Sequence, residues 1–125
     1  VSAGASGVII RKEGDRYFAL TANHVISELD DVDKTRIVVL GYDDLDFQDS
    51  LNRGGEYIGS ATYYMKFPEI TVEYTSEKSD LALISFRSDK AYTPLSLAED
   101  SPQYGDKIAS MSNPYGKRNI VTAGK

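Results

Sequence analysis

Residues 80–86, Asp-Leu-Ala-Leu-Ile-Ser-Phe, constrain the fold of this chain more than any other segment. At strand periodicity Leu81, Leu83 and Ser85 fall on one face, and Ala82, Ile84 and Phe86 on the other. A strand apolar on both alternating faces calls for cover on both sides, as in a layered or closed sheet. The rest of the chain supplies partners for it. Residues 7–11 (Gly-Val-Ile-Ile-Arg) and 16–21 flank Glu13-Gly14-Asp15 and read as a hairpin. Residues 35–40 form a third strand ending at Gly41. The polar stretch 42–56 reads as a long loop, followed by extended pieces at 57–67 and 70–74 interrupted by Pro68. Residues 107–112 and 119–122 complete the strands. A helical turn over 23–29 is too short to build a core. The expectation is an all-β domain over 1–125, a small antiparallel barrel or sandwich.

Charge and composition narrow the function. Net charge is −5, and the 14 basic residues are spread singly, which excludes a nucleic-acid surface or an anionic membrane face. The apolar runs fall short of the roughly 20 residues of a membrane-spanning helix, and no signal-peptide pattern opens the chain. Zero cysteine removes disulfides, thiolate catalysis and cysteine-based metal sites together. With one histidine, a zinc site would need mostly carboxylates. The acidic residues are bunched at Glu28, Asp30, Asp31 and Asp33, and again at Asp43, Asp44, Asp46 and Asp49. The second group offers oxygen ligands for calcium, but the EF-hand spacing and its flanking helices are missing. It reads as a solvated acidic loop, with calcium as the alternative. No cofactor or metal is expected.

Leu20-Thr21-Ala22-Asn23-His24-Val25 places the only histidine at the end of a strand, and Asp80 stands at the mouth of another. A serine hydroxyl is a weak nucleophile unless a base takes its proton. Imidazole, with an unperturbed pKa of about 6.5, suits that task. A carboxylate on the other ring nitrogen holds the useful tautomer and stabilises the imidazolium. Taken singly, His24 also reads as a structural or surface histidine, and Asp80 as a strand or turn cap. The surrounding sequence decides between these readings.

Ser6-Gly7-Val8-Ile9-Ile10 followed by Ala19-Leu20-Thr21-Ala22-Asn23-His24-Val25 resembles the opening of trypsin-like serine proteases, particularly the bacterial branch related to the HtrA enzymes. Ser79-Asp80-Leu81-Ala82-Leu83-Ile84 resembles the Asp-Leu-Ala box of that family. The segment from Gly105-Asp106 to Asn113-Pro114-Tyr115-Gly116 is similar to its Gly-Asp…Gly-Asn-Pro-Phe-Gly run, with Ser112 where glycine is usual. Val121-Thr122-Ala123-Gly124 matches its Val-Thr-x-Gly continuation. The resemblance implies His24 as general base and Asp80 as its orienting carboxylate. It implies a six-stranded Greek-key barrel, the first of the two barrels of such a protease. Peptide or protein is the implied substrate, and no cofactor is required.

No Gly-x-Ser-x-Gly or Gly-Asp-Ser-Gly segment occurs in the 125 residues. The resemblance assigns the nucleophile, the oxyanion-hole amides and the specificity pocket to a second, C-terminal barrel, expected to be absent from this chain. The chain reads as a fragment, inactive alone, of an exported bacterial enzyme placed outside the cell or in its envelope. An exposed apolar face on a lone barrel is expected to drive self-association. The alternatives are a non-catalytic binding or regulatory module built on the same barrel, and a small β-barrel unrelated to proteases.

Overall fold

The computed structural model describes residues 5–27, 37–112 and 120–124. Its framework is a four-stranded antiparallel sheet in the order β1-β2-β4-β3, built from β1 (Val8–Glu13), β2 (Arg16–Thr21), β3 (Thr71–Ser76) and β4 (Leu81–Arg87). The β1–β2 hairpin turns through Gly14 and Asp15, with Glu13 paired to Arg16. Gly14 has φ +63, and a positive φ at the first central position is what the type II′ hairpin turn requires. A short helix, α1 (Asn23–Ser27), comes directly after β2. β5 (Ile108–Ser112) and β6 (Ile120–Gly124) pair with each other as a separate two-stranded sheet. The structure is thus β-rich, as the strand pattern indicated. Strand pairing among the described residues gives four strands plus two, and the closed six-stranded barrel is not among them.

The core lies on one face of the large sheet. Tyr17, Ala19, Ile84 and Phe86 are buried together, with Ile9, Ile26, Val39, Ile70 and Tyr92 packed against them. The Tyr17 and Phe86 rings stack with centroids 5.7 Å apart, and Tyr92 meets Tyr17 edge-on at 5.2 Å. The buried Tyr17 hydroxyl donates to Lys90 O (2.8 Å) and accepts from the Tyr92 amide (3.0 Å), so a polar atom enters the core with both of its roles filled.

The other face of β4 differs from its expected burial. Leu81 is 45% exposed. It lines an open groove of about 430 Å³ with Ile10, Leu20, Tyr74, Leu83 and Leu97. Further along that face Ser85 is completely buried.

Two expectations between the second and third strands are corrected. The stretch 42–56 holds α2 (Phe47–Asn52), and the stretch 57–67 holds α3 (Ser60–Tyr64) rather than a strand. The α2 start is fixed by Asp46, whose carboxylate accepts from Asp49 N at 2.8 Å. Its end is a Schellman turn: Gly54 N bonds Leu51 O (3.1 Å), Gly55 N bonds Ser50 O (2.8 Å), and Gly54 takes φ +80. For α3 the β-propensity of Thr62, Tyr63 and Tyr64 is overridden by packing. Tyr63 is buried against Phe47 and Phe67 and donates its hydroxyl to Leu45 O. The expected third strand survives as one bridge, Val38 to Glu69, with residues 35–36 outside the described range. Also outside it are Asp30, Asp31 and Asp33, and residues 113–116 of the tail motif.

Candidate active site

The antiparallel register of the two central strands explains how residues distant in sequence meet. Thr21, at the end of β2, pairs with Ala82, near the start of β4. The residues after Thr21 and those before Ala82 must therefore emerge at the same end of the sheet. Ala22 links β2 to α1, which carries His24. Ile26 on that short helix packs against the core, fixing how the helix sits. Thr21 Oγ1 bonds Ser6 O at 2.9 Å and ties the preceding segment to the same corner.

On the other side β3 and β4 are joined by residues 77–80, with Ser76 paired to Leu81. Asp80 N bonds Glu77 O at 3.2 Å, and Ser79 N bonds Ser76 Oγ at 3.2 Å. Asp80 closes this turn at φ +51, the one non-glycine positive φ among the described residues. The left-handed region is uncommon for most side chains but accessible to aspartate.

In that conformation the Asp80 carboxylate spans both donors of His24. Oδ2 lies 2.8 Å from His24 Nδ1, and Oδ1 accepts from the His24 backbone amide at 2.8 Å. The two residues are 56 positions apart. A carboxylate can only accept, so Nδ1 carries the proton, and in the neutral ring Nε2 is the basic nitrogen. The hydrogen bond from the His24 ring, and next the His24 amide, hold the Asp80 carboxyl below the usual aspartate range. Both side chains are accessible from outside, 57% and 52% exposed. A ring so held is equipped to take a proton at Nε2 from an approaching hydroxyl and to return it to a leaving group.

Two features of this region carry no sequence signal. The groove of Leu20, Leu81 and Leu83 opens beside Ser79, next to Asp80. On the same sheet face the buried Ser85 hydroxyl accepts from Arg16 Nη1 (2.8 Å) and donates to Glu73 Oε1 (2.6 Å). Two carboxylates of the acidic loop have definite engagements. Asp44 pairs with Lys90 and accepts from Gly41 N (2.7 Å), while Asp46 caps α2.

A family model described as a trypsin-like peptidase domain matches residues 5–125. The chain belongs to that family. Comparison with curated proteins and with solved structures returns no match.

Proposed function

We propose that this chain is the N-terminal half of a serine endopeptidase of the HtrA-like branch, with His24 as general base and Asp80 as the carboxylate that orients it. One observation carries the reading: in a chain of the trypsin-like peptidase family, the single histidine has its Nδ1 on a carboxylate that also grips its backbone amide. As a serine attacks a substrate carbonyl, Nε2 takes the hydroxyl proton. The imidazolium, stabilised by Asp80, then protonates the departing amine. Water attacks the acyl-enzyme with His24 again as base, releasing the acid and the free serine.

The lack of a Gly-x-Ser-x-Gly or Gly-Asp-Ser-Gly segment in residues 1–125 supports a nucleophile outside them, carried by a second barrel that completes the site against this one. The described strands then belong to a Greek-key barrel, the chain alone is inactive, and the protein acts outside the cell or in its envelope. The partly open Leu81 face favours self-association of the isolated chain. The missing serine motif also supports a second reading, a regulatory module that keeps the fold without the chemistry.

Labelling the product of the complete gene with a fluorophosphonate separates the two readings. The endopeptidase reading expects one labelled serine, mapped by peptide mass spectrometry to a position beyond residue 125, with labelling abolished in His24→Ala. A properly folded product that takes no label contradicts it and favours the regulatory module.

A further inference from the structure

The Arg16–Ser85–Glu73 network links three strands on the face opposite the core. Ser85 on β4 is 0% exposed. Its hydroxyl is held by Arg16 from β2 and Glu73 from β3, and Arg16 Nη1 lies 3.8 Å from Glu73 Oε1. Glu73 has a second distinction. The β3–β4 ladder runs Thr71 to Ser85 and Val72 to Ile84, then jumps to Tyr74 opposite Leu83, so Glu73 is the extra residue of a β-bulge.

That extra residue sets the length of the turn that ends in Asp80. With the bulge, Ser76 pairs with Leu81 and the connection is 77–80, closed by the Asp80 N to Glu77 O bond. Were Glu73 absorbed into a regular ladder, it would face Leu83, Tyr74 would face Ala82 and Thr75 would face Leu81. The connection would lengthen by one residue, and Asp80 would lose the turn that imposes its positive φ. Tyr74 would also pass to the opposite face of the sheet, since a one-residue slip inverts every side chain. Bulges recur beside active sites, where they re-aim a side chain and reset the pairing that follows.

We infer that Glu73, held by Ser85 and Arg16, is a positioning residue for the proposed base pair, fixing the β3–β4 register that presents Asp80 to His24. The inference rests on the reading of His24 and Asp80 as that pair. Ser85 lies about 17 Å along β4 from Asp80 at strand rise, so the network touches no substrate and acts through register alone.

The test uses full-length protein and two NMR readouts, the His24 Nδ1 proton and the Asp80 carboxyl carbon across pH. Glu73→Ala is expected to fold, to lose the downfield Nδ1 proton and to raise the Asp80 titration toward ordinary aspartate. It should also lower kcat/KM by about 10²-fold, the scale of a 1 Å misplacement of a catalytic group. Glu73→Gln, which keeps an oxygen for Ser85, should restore both signals. Tyr63→Phe, which weakens the helical segment instead, should lower stability and leave both unmoved. Should Glu73→Ala not fold, Arg16→Met removes one arm of the network and must displace the same two signals. Unmoved signals in the folded variants would overturn the inference while leaving the base pair intact. A wild-type protein with no Nδ1–Asp80 hydrogen bond would overturn the base pair, and the inference with it.

Discussion

Replacing Asp80 with Asn removes one charge and changes no heavy-atom shape, yet it reverses the proton on the His24 ring. The two carboxylate oxygens of Asp80 meet His24 at 2.8 Å each, one at its ring and one at its backbone amide. An amide offers one oxygen and one NH2. If the oxygen stays on the backbone amide, whose direction is fixed by α1, the NH2 confronts Nδ1. That nitrogen must then become an acceptor, and the ring proton moves to Nε2. The base of the proposed mechanism is lost while the fold is kept. Backbone strain adds little, because Asn is at least as tolerant as Asp of the left-handed conformation at φ +51. The expected loss is about 10⁴-fold in kcat, the size found when the equivalent tautomer error is made in a comparable triad. KM should hold steady, since neither group is invoked in ground-state binding. Steady-state hydrolysis of a peptide substrate by full-length protein measures this, with circular dichroism confirming an unchanged fold. A folded Asp80→Asn variant within tenfold of wild-type kcat would refute the tautomer argument.

Other perturbations test separate parts of the structure. His24→Ala should cost about 10⁶-fold in kcat and leave thermal unfolding close to wild type, because the side chain is largely exposed. Since the His24 ring is the principal cause of the lowered Asp80 titration, the same variant should move the Asp80 carboxyl upward by carbon NMR. The folded Asp80 pKa lies below the unfolded one, so its contribution to stability is complete above the ordinary aspartate range and is lost as pH falls through the folded value. Acid unfolding compared between wild type and His24→Ala reads that window. Tyr17→Phe leaves Lys90 O and the Tyr92 amide without their buried partner, and urea denaturation should show a loss of about 1–3 kcal/mol. Gly54→Ala places a side chain at φ +80 and should cost about 1–2 kcal/mol, with Gly54→Asn milder.

The sequence was legible where local pattern and global packing agree. Alternation and a Gly14 turn marked the β1–β2 hairpin, and the apolar run 81–86 marked β4 as a strand, although its expected burial on both faces fails at Leu81. The helices were illegible for opposite reasons. α2 did leave a signal, Asp46 with Asp49 three residues on and Gly54-Gly55 at its end, but four aspartates in a polar stretch obscured the cap. In α3 the residues favour strand, and only the long-range burial of Tyr63 under Phe47 and Phe67 makes them helical. For the candidate site, motif resemblance picked out His24 and Asp80, but their approach depends on Thr21 facing Ala82, a register that no local pattern encodes. Ser85 shows the limit most clearly. Counted with Leu81 and Leu83 by alternation, it is in fact the buried centre of a polar network whose partners lie on two other strands.

The tautomer of the His24 ring tests the central claim most directly, its signals being assigned by their loss in His24→Ala. Long-range proton–nitrogen correlation near neutral pH should show Nδ1 protonated and Nε2 bare, with the Nδ1 proton shifted downfield by Asp80. A ring protonated at Nε2, or one whose spectrum is unchanged in Asp80→Asn, would contradict the account.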